Sequence, residues 1–209
     1  MIFHTSADPL YIERFYQGFT ESINKHCSSV SFSLNIVGEI QERPKADIIT
    51  EEYISLQEIK NKFNTNEKDT LGYYCLSRWL TIPSKNDHVC VCDIDILAID
   101  KIDIKLVENL LETYQAVNLT RIKPNGNEGG MMIIFLHKEI CKEIKNYALN
   151  VLKENKLTWD LDVKVREYIY ANYKIKNLLK MQEISKPSST KIDNPWFIFS
   201  KIEKFKNLI

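Results

Sequence analysis

Residues 89–97, which run Val-Cys-Val-Cys-Asp-Ile-Asp-Ile-Leu, contain the pattern that decides the fold. A short apolar run with β-branched residues is typical of a strand that is buried on both faces. Residues two apart on a strand point the same way, so Asp93 and Asp95 are predicted to aim at one point. Two ionised carboxylates there repel each other, so a positive charge lies between them or one of them holds a proton. A hard divalent cation such as Mn²⁺ or Mg²⁺ meets that need, because it prefers carboxylate oxygens.

Strand and helix patterns alternate along the rest of the chain. Besides the strand before Asp93, strands are predicted at residues 2–7, 30–37, 116–122 and 131–136, and helices at residues 9–24, 53–63, 70–80, 104–114, 139–153 and after Asp160. This alternation predicts an α/β fold with a central, mostly parallel sheet flanked by helices. Ligands of such sheets bind outside the carboxyl ends of the strands, where Ala7-Asp8 and Asp93-Ile94-Asp95 both fall. Residues 1–186 are predicted to form one catalytic domain, and residues 187–209 a tail that packs on it.

Composition narrows the class of protein. The 209 residues are 44% hydrophobic and 27% charged, which is typical of a globular protein. Lysine and arginine together number 28, as do aspartate and glutamate, so no overall basic field indicates nucleic acid as a partner. No apolar run approaches the roughly 20 residues that a transmembrane helix needs, and no signal peptide is recognised. The five cysteines form no Cys-x-x-Cys pair, which favours reduced thiols and a cytoplasmic location.

Four separate segments together resemble a known family. The family has a helix that carries an arginine, followed by a strand that ends in Asp-x-Asp. This chain has the corresponding residues in Gly-Tyr-Tyr-Cys-Leu-Ser-Arg-Trp-Leu at 72–80 and, after a strand, in Asp-Ile-Asp-Ile-Leu at 93–97. An Asn-x-Gly-Val-(Leu/Met) segment of the family is similar to Asn-Glu-Gly-Gly-Met-Met-Ile-Ile-Phe at 127–135. Its Ala-Asp-x-x-Tyr pattern is similar to Ala7-Asp8 with Tyr11. In this order and spacing they resemble GT-A-fold nucleotide-sugar glycosyltransferases, most of all the group that holds glycogenin and bacterial lipopolysaccharide galactosyltransferases. The resemblance spans about residues 1–170 and implies a Rossmann-like GT-A fold.

The resemblance implies roles for the residues near the strand ends. Asp95 would bind the metal, and Asp93 would contact both the metal and the ribose. Such a metal would neutralise the charge that develops on the departing diphosphate. Ala7, Asp8 and Arg78 would help to seat the nucleotide and the diphosphate. Arg78 is interpreted either as a diphosphate contact or as a residue that holds Asp93, and a surface or intra-helix arginine fits the pattern nearly as well.

The resemblance also implies a sugar pocket and an acceptor side. Asn127, Gly129 and Gly130 would shape the sugar pocket, although these residue types also suit an ordinary turn. Asp160 and Asp162 fall where the family has Asp-Gln-Asp, and they would be the acceptor-side carboxylates. A helix N-cap with an acidic first turn explains the same two residues at least as well.

Two features depart from the family pattern. Leu161 replaces the glutamine, and the late His-x-x-Gly-x-Lys element is missing, since His137 is the last histidine of the chain. These departures keep a second hypothesis open, namely a non-catalytic protein of the same fold that binds a nucleotide sugar or a protein partner.

Other classes fit the sequence less well. A haloacid-dehalogenase phosphatase needs its Asp-x-Asp on the first strand, with Thr or Val where Leu97 stands here. An EF-hand loop would need a central glycine that residues 93–103 lack. A metal-dependent nuclease or polymerase would need a third carboxylate and a basic groove, and the balanced charge of the chain gives no support for such a groove.

The residues and the resemblance together predict a metal-dependent hexosyltransferase that uses Mn²⁺ or Mg²⁺ and transfers to a glycan or another hydroxyl group. The resemblance implies that the donor is a UDP-linked sugar. The aromatic and lysine-rich stretch 196–206 has amphipathic spacing, which suits docking on the core or contact with an anionic membrane surface.

Overall fold

The computed structural model describes residues 1–27, 29–52, 54–83, 85–98, 103–118, 133–154, 156–158, 160–177, 184–185 and 196–198. The predicted sugar-pocket residues Asn127, Gly129 and Gly130 lie outside this set, as do most residues after Asn177. Within the described ranges, no helix combines the length and the apolar character needed to cross a bilayer.

In the residues that the structure describes, ten strands form one large and one small sheet. In chain order they are β1 Ile2–Ala7, β2 Ser31–Val37, β3 Ile48–Glu52, β4 His88–Cys92, β5 Ile96–Ala98, β6 Ala116–Asn118, β7 Ile133–His137, β8 Ile175–Asn177, β9 Ile184–Ser185 and β10 Trp196–Ile198. The large sheet has the order β3-β2-β1-β4-β7-β6-β8, and β7 runs antiparallel to both of its neighbours. Its other four pairings are parallel. The expected α/β class with a mostly parallel central sheet is therefore confirmed.

The small sheet lies next to the Asp-x-Asp segment in the chain. Strand β5 follows Asp95 directly and pairs in parallel with β10, which pairs in turn with β9. Strand β10 belongs to the predicted tail 187–209, and the division of the chain at residue 186 stays a prediction.

Helices cover both faces of the large sheet. They are α1 Pro9–Tyr11, a π-helical turn at Ile12–Tyr16, α2 Gln17–His26, α3 Leu56–Phe63, α4 Glu67–Leu80, α5 Ile104–Leu111, α6 Lys138–Glu154 and α7 Leu161–Asn172. Local caps place several of their starts, because a side-chain oxygen at the N-cap satisfies a backbone N–H of the first turn. Ser55 and Glu58 form a capping box for α3, and Asn66 and Asp103 cap α4 and α5.

The sheet separates two apolar cores. Phe3, Leu34 and Phe135 project into the core that α2 and α5 cover. Val91 and Leu136 project from the other face into the core that holds α4, α6 and α7. Strand β4 is buried from Val89 to Cys92, as its apolar run predicts. Burying one such side chain contributes roughly 1.5–3 kcal/mol, so this central strand is a rigid base for the residues that follow it.

A buried polar layer replaces part of the second core. His4 and Ser6 of β1, together with Ser33 and Asn35 of β2, lie beneath α4, and we call these four residues with Ser77 the polar layer. His4 Nδ1 is 2.9 Å from Ser33 Oγ, Ser6 Oγ is 2.5 Å from Ser77 Oγ, and the Asn35 amide donates to Ser6 at 3.0 Å. Each bond satisfies a buried polar group that would otherwise cost about 1–3 kcal/mol. The layer therefore fixes the register of α4 over β1 and β2.

Candidate functional site

The two predicted segments meet at one edge of the sheet. Strands β1 and β4 are parallel neighbours, with His4 opposite Val91, so their carboxyl ends lie side by side. Asp8 follows the end of β1, and Asp93 follows the end of β4. This arrangement results from the parallel pairing, and it creates the acidic edge that the sequence predicts.

Tyr11 joins the two segments. The Asp8 carboxylate caps α1 by accepting a hydrogen bond from the Tyr11 backbone N–H at 2.8 Å. Burial, followed by the charges of Asp95 and Asp8, raises the pKa of the Tyr11 phenol, while Arg14 acts in the opposite direction. Asp8 and Asp95 are therefore close enough to the same phenol to act on it together, and the phenol keeps its proton at neutral pH.

Arg78 is held in place from several sides. Its Nη1 forms an ion pair with Asp93 Oδ1, and the two side chains are 6% and 18% exposed. Its Nε donates to the Cys75 carbonyl at 2.9 Å, and its own carbonyl lies 2.9 Å from His4 Nε2. Burial alone would lower the pKa of Arg78, but Asp93, Cys75 and Asp162 outweigh it and raise that pKa. Of the sequence-based interpretations of Arg78, the structure shows the one in which it holds Asp93, and a surface arginine is excluded.

The ion pair changes the electrostatic argument for a metal. Asp93 already has a positive neighbour in Arg78, so repulsion between Asp93 and Asp95 does not by itself require a cation. The residues nevertheless fit one. A carboxylate offers about four acceptor positions, so Asp93 can contact Arg78 and a metal at the same time.

The ligand set further suggests which ion would fit. Within the described residues, neither Asp93 nor Asp95 belongs to a group of three ligand-type side chains that closes on one point. Two carboxylates completed by diphosphate oxygens are the set that Mg²⁺, and by extension Mn²⁺, accepts in nucleotide sites.

The two predicted acceptor-side carboxylates lie in different environments. Asp162 is buried on α7, and its Oδ2 is 3.6 Å from Arg166 Nη2. Helix α7 packs on α4, so the charge of Asp162 reaches both Arg78 and Cys75. Asp160 occupies the N-cap position of α7, is exposed, and makes no capping hydrogen bond with its side chain. The structure thus brings Asp162, rather than Asp160, toward the residues around Arg78.

Helix α4 adds two residues that sequence reasoning did not single out. Burial and then the charge of Asp8 raise the pKa of the Tyr74 phenol. Burial raises the pKa of Cys75 to about 11, although Arg78 works against this, so the thiol stays protonated. Tyr74 and Cys75 precede Arg78 by four and three residues, the spacing at which side chains lie on one face of a helix. This spacing was the signal that could have identified them. Ala7, in contrast, is a buried core residue.

A neighbouring cleft of about 860 Å³ opens beside Pro9. It runs between the π-helical turn with α2 on one side and residues 39–45 on the other, and neither Asp93 nor Asp95 lines it. Gly38 sets this geometry, because its φ is +118° and a Cβ there would lie 3.3 Å from Pro9 Cδ. The cleft is therefore adjacent to the acidic edge, since Pro9 follows Asp8.

No protein-family model matches the sequence, and a comparison with curated proteins finds no match either. Among solved structures, 4-diphosphocytidyl-2C-methyl-D-erythritol synthase from Anaerococcus prevotii is similar over all of this chain and 97% of its own, at 12% identity and a TM-score of 0.48. The glycosyltransferase GlyE from Streptococcus pneumoniae matches 85% of this chain and 44% of its own, at 11% identity and a TM-score of 0.48. Mouse xyloside xylosyltransferase 1 matches 85% of each chain at 9% identity and a TM-score of 0.41. Two of these three solved structures are glycosyltransferases, and the third is a synthase.

Proposed function

We propose that this chain is a metal-dependent glycosyltransferase that moves a hexose from a UDP-linked sugar to a glycan or another hydroxyl acceptor. One observation carries the proposal: Asp8, Asp93 and Asp95 lie at the shared carboxyl edge of β1 and β4, and Arg78 holds Asp93 there. Ligands of parallel sheets bind at such edges. The uridine and the hexose come from the resemblance of the sequence motifs.

Asp93 and Asp95 would hold Mn²⁺ or Mg²⁺ in this proposal. When bound, the ion would supply positive charge to the departing diphosphate. Arg78 would keep Asp93 oriented, because it is buried against that carboxylate. The protonated Tyr11 hydroxyl, near Asp8 and Asp95, would be a hydrogen-bond donor at the same edge.

The remaining predicted residues complete the proposed site. Asn127, Gly129 and Gly130 are proposed to shape the sugar pocket on the strength of the sequence alone. Asp160 and Asp162 are proposed as the acceptor-side carboxylates. Exposure leaves Asp160 able to approach an acceptor hydroxyl, whereas Asp162 is bound to Arg166 and would act through its charge.

A turnover assay tests the proposal. The full chain is incubated with UDP-glucose or UDP-galactose, with Mn²⁺ and without it, and the release of UDP is measured. We expect metal-dependent release that falls by about a hundredfold in Asp95→Asn, as is usual when a group that stabilises developing charge is removed. Asp87→Asn is the matched control, because Asp87 precedes the opposite end of the same strand and should leave the rate unchanged. Release that is independent of metal and of Asp95 would refute the proposal.

A non-catalytic nucleotide-sugar-binding protein is the second candidate. Leu161 at the glutamine position and the missing His-x-x-Gly-x-Lys element favour it. This candidate predicts metal-dependent binding of UDP with no release of UDP from any donor.

A cytoplasmic location and contact between the basic tail and an anionic membrane are further proposals from the sequence. Fluorescence localisation would test the first, and vesicle flotation would test the second.

A further inference from the structure

Two histidines face each other at the opposite edge of the sheet. His88 begins β4 and His137 ends β7, and the antiparallel register places them directly opposite one another. The Lys138 N–H donates to the Asp87 carbonyl at 3.0 Å, which makes His88 and His137 a non-hydrogen-bonded pair. Side chains approach more closely at such pairs than at hydrogen-bonded ones. The two ring centroids are accordingly 5.5 Å apart.

Glu112 closes the group from a third element. It follows α5, and its Oε1 is 3.8 Å from His88 Nε2. One ligand-type atom from each of His88, Glu112 and His137 lies within 4.8 Å of the other two. His88 Nε2 is buried, and within the described part of the chain it has no hydrogen-bond partner. A buried ring nitrogen without a partner is costly unless something binds it.

Two further carboxylates lie on the far side of the rings. Glu108 Oε1 is 3.9 Å from His88 Nδ1, and Glu139 Oε2 is 3.6 Å from His137 Nδ1. His137 Nδ1 also accepts the Glu139 backbone N–H at 3.4 Å, so it is His88, coordinated through Nε2, that would keep an Nδ1–H facing a carboxylate, that of Glu108. Metal-binding histidines usually have a carboxylate or a carbonyl behind them in this way, since it fixes the tautomer and strengthens the ligand.

We propose that His88, His137 and Glu112 bind one divalent transition-metal ion, with Zn²⁺ as the best match. Two imidazoles and one carboxylate, with water as the fourth ligand, form a set that zinc accepts in tetrahedral geometry. The three side chains need to close by only about an ångström, because ligand atoms around zinc stand at about 2.0–2.2 Å from the ion. Glu112 is exposed, so its side chain can make this adjustment.

This site is separate from the acidic edge. The two lie at opposite ends of β4, and their ligand types differ, since imidazole suits zinc while paired carboxylates suit Mg²⁺ or Mn²⁺. A bound ion would tie the end of α5 to β4 and β7, three elements that no covalent link joins at this point. We therefore assign it a stabilising role, which does not depend on the proposed transferase activity.

Calorimetry and thermal unfolding of the metal-free full chain, without a histidine tag, test this site. Zn²⁺ at about a hundredfold excess over its Kd should raise Tm by about 5–10 °C for a chain of this size. The affinity should fall by at least about a hundredfold in Glu112→Gln and in His137→Gln, and by about 10–100-fold in Glu108→Gln. His26→Gln is the control, because His26 ends α2 outside the group, and it should bind zinc like the unaltered chain.

Co²⁺ substitution identifies the ligands. The absorption spectrum should show d–d bands without an intense thiolate charge-transfer band, in the unaltered chain and equally in Asp95→Asn. Circular dichroism confirms that each variant folds, and Glu112→Gln keeps the test valid because the residue is exposed. No zinc binding, binding that survives Glu112→Gln and His137→Gln, a thiolate band, or loss of binding in Asp95→Asn would each overturn the proposal.

Discussion

The two ends of strand β4 carry opposite kinds of polar chemistry on one apolar strand. At the carboxyl end, Asp93 forms an ion pair with the buried Arg78, next to a second carboxylate at Asp95. At the amino end, His88 lies opposite His137, and the nearby Asp87–Lys138 pair is exposed, at 75% and 48%. The comparison shows that burial, rather than the number of charges, separates the Arg78–Asp93 ion pair from the Asp87–Lys138 ion pair.

The largest effect should come from breaking the buried pair. Arg78→Ala leaves Asp93 largely buried without its cation, and losing one partner of a buried pair costs about 3–5 kcal/mol of unfolding free energy. Urea denaturation of the purified variant measures this loss. Lys138→Ala at the other end of β4 removes an exposed pair and should leave the denaturation midpoint unchanged. Equal effects of the two substitutions would contradict the contrast between the two ends.

The polar layer between the two ends should make stability depend on pH. Burial lowers the pKa of His4 to about 4, with further contributions from Arg78 and Lys145. An unfolded histidine titrates near pH 6.5, so the unfolded chain binds a proton before the folded chain does. The contribution of His4 to stability is therefore fully present above pH 6.5, declines as the pH drops toward about 4, and amounts to about 3 kcal/mol across that window.

Urea midpoints across this range measure the loss, and His4→Gln is the comparison. The variant should be less stable at neutral pH, but it should lack this part of the pH dependence. A His4→Gln profile parallel to that of the unaltered chain would mean that other groups cause the acid sensitivity.

A smaller effect should separate Asp162 from Asp160. Asp162→Asn removes one partner of the buried ion pair with Arg166, whose charged atoms stand 3.6 Å apart, and this should cost about 1–3 kcal/mol, the usual range for a substitution that breaks a buried polar contact. Asp160→Asn should leave Tm unchanged, because its side chain is exposed and makes no capping bond. Differential scanning calorimetry compares the two. A greater loss in Asp160→Asn would reverse our account of α7.

The smallest effect should come from Tyr11→Phe. The substitution removes a hydroxyl that lies near Asp8 and Asp95, while the ring and its contact with Phe15 remain. We expect normal folding and UDP affinity lower by about fivefold, equivalent to one hydrogen bond of about 1 kcal/mol. Tyr114→Phe, at the amino end of β6, is the control for calorimetry and should bind UDP normally. Unchanged affinity in Tyr11→Phe would place the phenol outside the nucleotide site.

Apolar periodicity predicted the elements that form the two cores. Strands β1, β2 and β4 and the helices over residues 104–111 and 138–154 lie where the patterns place them, because burial on a sheet or helix face imposes those periods. Strand β3 was missed, since its Thr50, Glu51 and Glu52 give an edge strand no apolar signature. Strand β5 was missed because three residues are too few to show a period.

Local interactions also moved several helix boundaries. The helix predicted at 53–63 begins at Leu56, because Ser55 and Glu58 cap it there. The helix predicted at 70–80 begins at Glu67, since Asn66 supplies an earlier cap. The helix predicted over residues 9–24 is interrupted by the π-helical turn, which no residue pattern in that stretch indicated.

The candidate site was predictable to the extent that strand ends determine it. Asp8 and Asp93 meet because parallel neighbours end at one edge, which is a property of the topology. The ion pair between Arg78 and Asp93 was one of several interpretations, since sequence spacing does not say how α4 lies over the sheet. The polar layer decides that position, and its members are serine, asparagine and histidine residues that look unremarkable in the chain.

Calorimetric titration of UDP, with and without Mn²⁺, tests the central claim most directly. If the carboxyl end of β4 is a metal and nucleotide site, Mn²⁺ should strengthen UDP binding by at least about tenfold, a difference of about 1.4 kcal/mol. Asp95→Asn should abolish this gain, and Asp87→Asn should keep it. Equal UDP affinity with and without Mn²⁺, or an undiminished gain in Asp95→Asn, would contradict the account.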